Sequence, residues 1–273
     1  MNYQKSWREH HDLESVTAVT VLGNGPSLRG VDLRQLSDRP SIGMNASYRH
    51  WDRIGWYPTF YCCLDDVVVQ SHADEIARLL NQQLVQGAFL SGRFFEVKPE
   101  FLGDSRILDL DRVSSFWFQS QGINRGKQFV YHQAFMSCYP TLITTGAWAL
   151  RWAAFMGFSQ ACVFGIDMSY NDLPLDYVAP TGNHMKMMAT PDHNANYFFD
   201  DYQQEGDEFQ KPNPIPERPN MHFEALIALS HDFTQQRVGC EIHVAQPESG
   251  LGRSNLFQVR AACSVLALAA GSG

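Results

Sequence analysis

The residues best suited to chemistry in this chain stand at the ends of short apolar runs. Asn24, Asn45, Asp65, Ser91, Asp167 and Gln246 each close one. The sharpest case is Val16–Leu28, where an apolar run breaks into Gly23-Asn24-Gly25-Pro26-Ser27. Gly23 and Gly25 allow backbone angles that a side chain forbids, and they let N–H groups approach a phosphate. Asn24 brings an amide that both donates and accepts, and Ser27 a hydroxyl. The pattern is neither GxGxxG nor a P-loop, because no Gly-Lys-Ser/Thr follows. A strand running into a tight, ligand-free turn is the competing account of these residues. Asp109-Leu110-Asp111 is a DxD tripeptide of the kind that holds a divalent ion under a nucleotide diphosphate. It is short and common by chance. The spacing of His184, Asp192 and His193 fits no recognised metal site, so no metal is expected.

These residues need strands and helices to bring them together. Val16–Leu22, Pro40–Met44, Thr59–Leu64, Gly87–Leu90, Arg106–Leu110, Ala161–Phe164 and Cys240–Ala245 read as strands. Val67–Leu84 carries apolar residues at helical spacing, as do Ala147–Met156 and Asn220–Gln236. Thr144-Thr145-Gly146 opens the second of these helices and Gly157 closes it. Strands alternating with helices predict an α/β, Rossmann-like fold, a mostly parallel sheet flanked by helices. In such sheets ligands lie beyond the carboxyl ends of the strands, where the polar residues above would converge. The expected organisation is a single domain over 1–270. It would carry an irregular insertion at 113–139 and a long loop at 168–219 that closes over the site or meets an acceptor.

Composition narrows the function. The chain has 273 residues, 44% of them hydrophobic, which is enough for a substantial core. The net charge of −8 argues against wrapping a nucleic-acid backbone. No apolar run reaches membrane-spanning length, which leaves peripheral association open, and Met1–Glu14 is too polar for a leader. Six cysteines without CxxC spacing, several inside apolar runs, read as reduced thiols of a cytoplasmic protein without structural zinc.

Four stretches together resemble the CMP-sugar-dependent bacterial sialyltransferases and the related Kdo transferases. They are Gly23–Leu28 after a strand; Met44-Asn45-Ala46-Ser47 one strand later; Thr144-Thr145-Gly146 with the following Met156-Gly157-Phe158 and Phe164-Gly165-Ile166-Asp167; and Cys240–Leu251 running through Gln246-Pro247-Glu248-Ser249. Their order and approximate spacing match most of Val16–Leu251. The first and third are shared with a broader GNGPSL group that includes pterin pyrophosphokinase-like proteins.

The resemblance implies the GT-A-like variant of the fold found in those sialyltransferases. It also implies a donor of the CMP-sugar type, carrying Kdo or sialic acid, and a glycan or lipid-linked acceptor. The Gly23–Ser27 turn would lie under CMP, with Asn45, Asp65 and Ser91 in the nucleotide pocket. Thr144, Thr145 and Gly146 would cradle phosphate, since a helix N-terminus presents free N–H groups. Asp167 would hold the ribose or attack the sugar, and Tyr170, Tyr197 and Tyr202 would donate hydroxyls to the leaving phosphate. The family's catalytic His position falls here on Asn196 or Tyr197. His193, close by, is the expected catalytic histidine, with His184 and His222 as alternatives. An ATP- and Mg²⁺-dependent phosphotransferase and a non-catalytic nucleotide-sugar-binding protein are the competing functions.

Overall fold

The computed structural model describes residues 9, 13, 15–113, 130, 132–136, 143–168, 170, 177–181, 184–211 and 220–260. Its centre is β1 (Ala18–Leu22), the strand that ends at Gly23. Alternating Val, Thr and Ala suit a pleated, buried strand. Around it stand β2 (Ser41–Met44), β3 (Phe60–Cys63), β4 (Gly87–Leu90), β5 (Ile107–Asp109), β6 (Gln160–Phe164), β10 (Glu241–Val244) and β11 (Gln258–Val259). The eight lie in the order β11-β10-β6-β1-β2-β3-β4-β5, every neighbouring pair parallel. This is the α/β fold expected from the sequence. β1 matches Leu22 to Phe164 on one side and Val21 to Ile42 on the other. The chain steps outward from β1 to β5, then returns to the opposite side of β1 for β6. The strand order therefore reverses between β1 and β6, the place where open α/β sheets bind ligands.

Helices cover both faces of the sheet, each over its own apolar cluster. One face carries α1 (Tyr48–Ile54), α2 (Asp66–Ser71) and α3 (Ala73–Asn81). Val67–Leu84, expected as one helix, is divided between α2 and α3 at His72. That residue leaves helical geometry at φ −110°, ψ 16°, and its buried ring reaches Tyr48 Oη through Nδ1 at 2.9 Å. The other face carries α4 (Thr145–Phe155) and α5 (Met221–Gln235). Every residue of α4 from Ala147 to Phe155 is buried. Its one charge, Arg151, pairs with Asp232 of α5 and also donates to the carbonyls of Ala134 and Met136. Those two residues belong to the expected 113–139 insertion, most of which lies outside the described residues.

The stretch 168–219, read as a long loop, contains a second sheet in its described part. β7 (Tyr177–Thr181), β8 (His184–Met187) and β9 (Glu208–Gln210) pair antiparallel in the order β7-β8-β9. β8 alternates His184-Met185-Lys186-Met187 and buries both methionines beside Phe209. Strands of three to five residues separated by turns leave little period to detect. β11, two residues long, was likewise not anticipated.

Candidate functional site

A cavity of about 870 Å³ opens at the carboxyl ends of β1, β2, β3, β4 and β6. Its floor is made of backbone. Gly23 N donates to Phe164 O at 2.8 Å and Gly25 N to Gly165 O at 2.8 Å, so the turn after β1 lies along the turn after β6. A Cβ on Gly25 would stand 2.1 Å from Asp167 Oδ2, and one on Gly23 2.2 Å from Gly165 O. Only glycine allows this approach. Asp167 lines the cavity, and both its carboxylate oxygens accept from backbone: Oδ2 from Ser27 N at 2.9 Å, Oδ1 from Gly250 N at 3.2 Å. Gln246 makes a second stitch. Its Oε1 accepts from Gly165 N at 2.8 Å and from Ser27 Oγ at 3.2 Å.

Asn24 also lines the cavity and is held from behind. Its amide lies 2.6 Å from Ser47 Oγ and 2.8 Å from Tyr202 Oη. Tyr202 Oη already accepts from Ala46 N at 3.3 Å, so its proton points at Asn24. The amide oxygen therefore faces Tyr202. The two hydrogens of the NH₂ then have Ser47 Oγ, Gly23 O and Met44 O as acceptors, which satisfies the whole group.

Thr144, Thr145 and Gly146 form the cavity wall at the N-terminus of α4. Thr144, the N-cap residue, makes no capping hydrogen bond, and no side chain among the described residues is seen to cap that terminus. The first N–H groups of an eleven-residue helix are thus left for a ligand, and the helix dipole favours an anion there. Asn45 lines the cavity at φ +51°, with a buried Oδ1 that has no partner among the described residues. Asp65 caps α2, its Oδ1 accepting from Val67 N at 2.9 Å and Val68 N at 3.2 Å. Burial pushes its carboxyl above the usual range. Ser91 sits at the end of β4 and also lines the cavity.

The roof comes from the 168–219 stretch. Tyr170 and Tyr197 line the cavity with ring centroids 6.3 Å apart, and Tyr170 stands 5.1 Å from the His222 ring. His184 on β8 and Glu208 on β9 face the same space, Nε2 to Oε2 at 3.0 Å.

Of the residues expected from sequence, the cavity brings together Gly23, Asn24, Gly25, Asn45, Asp65, Ser91, Thr144, Thr145, Gly146, Asp167, Tyr170 and Tyr197. Ser27, Tyr202 and His193 are not among its lining residues. Ser27 and Tyr202 lie behind the lining: Ser27 bonds Asp167 and Gln246, and Tyr202 stacks on Tyr197 at 3.8 Å. His193 is 69% exposed, with Nδ1 2.9 Å from Asp200. Glu208, Arg93 and Lys211, which sequence reasoning did not select, join the lining. Glu208-Phe209-Gln210 does show the period of a strand, the one local signal for Glu208. Of the DxD pair, Asp111 lines the cavity and Asp109 Oδ1 accepts from its N–H at 2.9 Å. Among the described residues no three His, Cys, Asp or Glu are grouped to hold a metal, and no helix is long and apolar enough to cross a membrane. Cys62, Cys63, Cys162 and Cys240 are buried free thiols.

No protein-family model matches the chain, and no curated protein does. Among solved structures it is similar to the sialyltransferase CST-II in complex with a trisaccharide acceptor and CMP. Identity there is 16%, TM-score 0.49, with 89% of this chain and 85% of that one covered. It is similar to CstII from Campylobacter jejuni in complex with CMP-3FNeuAc, at 16% identity, TM-score 0.49, and 89% and 86% coverage. It is also similar to the MAf glycosyltransferase from Magnetospirillum magneticum AMB-1, at 16% identity and TM-score 0.40, covering 89% of this chain and 36% of that one.

Proposed function

We propose that this protein is a glycosyltransferase that takes an acidic sugar of the Kdo or sialic acid type from CMP and passes it to a glycan or lipid-linked acceptor. One observation carries the reading. Gly23–Gly25, Asn45, Thr144–Gly146 and Gly165–Asp167 come from three of the four stretches that carry the sequence resemblance. They are up to 144 positions apart and line one cavity at the reversal of strand order. The N-terminus of α4, where Thr144 makes no capping hydrogen bond, suits a phosphate that gains charge as the sugar departs.

Within this reading the floor binds and the roof does chemistry. Asp167 gives both oxygens to backbone N–H groups, so we assign it the task of holding the two loops together. Each oxygen keeps a further acceptor site, so these bonds leave ribose binding and attack on the sugar open to Asp167, which lines the cavity. His193 lies outside the cavity lining, and His184, oriented by Glu208, is assigned the proton of the acceptor hydroxyl. His184→Gln should leave CMP affinity within about twofold and cut transfer by roughly 10²–10⁴, the range for loss of a general base. Calorimetry paired with donor consumption reads both, and transfer near the parent rate removes His184 from the mechanism.

A thermal-shift and calorimetry panel of CMP, UMP, GMP and ATP with Mg²⁺ tests the function itself. CMP at 100 times its dissociation constant should contribute about 2.7 kcal/mol. Stabilisation by ATP with Mg²⁺ and none by CMP would turn the assignment to a phosphotransferase. Binding of CMP without consumption of any CMP-sugar would turn it to a non-catalytic binding protein.

A further inference from the structure

The roof is fastened to the rest of the molecule by three arginines. All three stand on the floor side, and all three carboxylates they meet stand on the roof. Arg49, in the first turn of α1, grips Asp207 with both prongs: Nη1 to Oδ2 at 2.5 Å and Nη2 to Oδ1 at 2.8 Å. Both side chains are nearly buried, at 13% and 12% exposure. Arg49 Nη1 also donates to Tyr202 O at 2.7 Å. Arg53, one helical turn further on, pairs with Asp201 and lies 5.3 Å from the centre of the Phe199 ring. Arg29, just after the Gly23–Ser27 turn, meets Asp200 at 2.9 Å. It also donates to the carbonyls of Asn194, at 2.7 Å, and Tyr197, at 3.1 Å.

Apolar contacts add to the clamp. Phe198, Phe199 and Tyr202 are buried in the same cluster as Leu28, Tyr48 and Trp51. His50 on α1 lies edge-on to Phe198 at 5.0 Å. Phe198 N donates to Asn24 O at 3.1 Å. Opening this segment would expose three aromatic rings and strand three charge pairs, one of them two-pronged and with little access to water. Asp207 also precedes Glu208, so the Arg49 pair sets the start of β9 and with it the carboxylate that faces His184.

We propose that Arg29, Arg49 and Arg53 are positioning residues that hold 194–208 over the cavity before any ligand arrives, so that the nucleotide meets a preformed roof. A ligand then has no ordering of this segment to supply. The inference concerns the free protein, and it stands or falls independently of which nucleotide binds.

Amide hydrogen exchange on the free full-length chain tests it. Exchange across 194–208 is expected to be slow, within about tenfold of the amides of β1 and β6. Arg49→Ala should speed exchange in 194–208 at least tenfold while β1 and β6 stay as they were. Exchanging the charges, Arg49→Asp with Asp207→Arg, should restore part of the protection. If Arg49→Ala does not fold, Arg53→Gln, at a half-exposed pair, gives the same local readout. Two results overturn the proposal: unprotected exchange of 194–208 in the free parent protein, or a variant that accelerates β1 and β6 as much as the roof. The second would mean that the arginines support the whole fold and do not position the roof.

Discussion

The floor and the roof of the cavity are built by opposite means. The floor is backbone laid against backbone: the turn after β1 bonds the turn after β6, and glycine at 23 and 25 makes the approach possible. Its two side-chain stitches, Asp167 and Gln246, also end on backbone groups. The roof is held mainly by side chains, with Arg29, Arg49 and Arg53 on Asp200, Asp207 and Asp201 and on nearby carbonyls, and stacked rings beneath. A floor of this kind tolerates almost no added atom, because backbone cannot retreat. A roof of ion pairs and long side chains can give locally, and its strength depends on pH and salt. Under the proposed function, binding a fixed phosphate would suit the first construction and admitting an acceptor the second.

The largest effect should come from a single methyl group in the floor. In Gly25→Ala the new Cβ lies 2.1 Å from Asp167 Oδ2 and 2.8 Å from Asp167 Cβ. The carboxylate has to withdraw, giving up the N–H of Ser27 and with it the lock between the loops. Overpacking of this severity costs roughly 3 kcal/mol. Urea unfolding should show that loss, and under the proposed function CMP binding should fall below detection. If the variant keeps parental stability, the floor is not the rigid half, and the contrast drawn above fails.

The two halves were also unequally legible in the sequence. Floor residues carry local signatures: an apolar strand, then glycine and a small polar residue, as at Val21-Leu22-Gly23-Asn24 or Val163-Phe164-Gly165. A strand order with parallel neighbours then sends them all to one edge. The roof has no such signature. Arg49 and Asp207 are 158 positions apart, and nothing in their neighbourhoods marks them as partners. The three strands of the second sheet are too short for their alternation to stand out. His193 and His184 illustrate the consequence. Both lie in one stretch of polar and aromatic residues, and only tertiary pairing places His184 against Glu208 in the cavity and His193 out in solvent beside Asp200.

The next effect is of similar size but appears only in acid. His72, at the break between α2 and α3, is buried where roof and floor meet. Burial holds its imidazole at about 4, well below the ordinary 6.5. The groups around it are Tyr48 Oη on Nδ1, Asp207 4.0 Å from Nε2, and the charges of Arg49 and Glu75. Asp207 and Glu75 favour the proton, but desolvation and Arg49 oppose it, and desolvation is the largest influence. The sign follows. Above 6.5 neither the folded nor the unfolded state is protonated at this ring, and it has no effect on the pH dependence. As pH falls from 6.5 towards 4 the unfolded chain takes up the proton and the folded one does not, so stability is lost. The loss levels off below 4 at about 3 kcal/mol. His50, His132 and His243 are also lowered by burial and lose stability in the same direction. Subtracting the stability–pH curve of His72→Gln from that of the parent isolates this residue. Parallel curves between pH 6.5 and 4 would show that the ring takes its proton in the folded state.

The smallest expected effect separates global stability from local order. Arg29 and Asp200 are 38% and 45% exposed, and a pair that open to water contributes at most about 1 kcal/mol. Arg29→Ala should therefore move the unfolding midpoint little. It should still free the carbonyls of Asn194 and Tyr197, which the guanidinium holds beside the charge pair. Arg29→Lys keeps the charge but loses the fork that reaches both carbonyls. The two variants thus divide the contribution. If the charge holds the segment, the lysine variant behaves like the parent at low salt, and added salt loosens both. If the carbonyl bonds hold it, both variants loosen the tip of the roof equally, and salt changes neither, because hydrogen bonds to backbone carbonyls are screened far less than exposed ion pairs. The geometry favours the second outcome. Asp200 shares its Oδ1 with His193 Nδ1 at 2.9 Å, whereas Arg29 meets the two carbonyls through a fork that a lysine cannot reproduce. Amide exchange at 194–198 in 10 mM and 500 mM salt, roughly 30 Å and under 5 Å in Debye length, distinguishes the two.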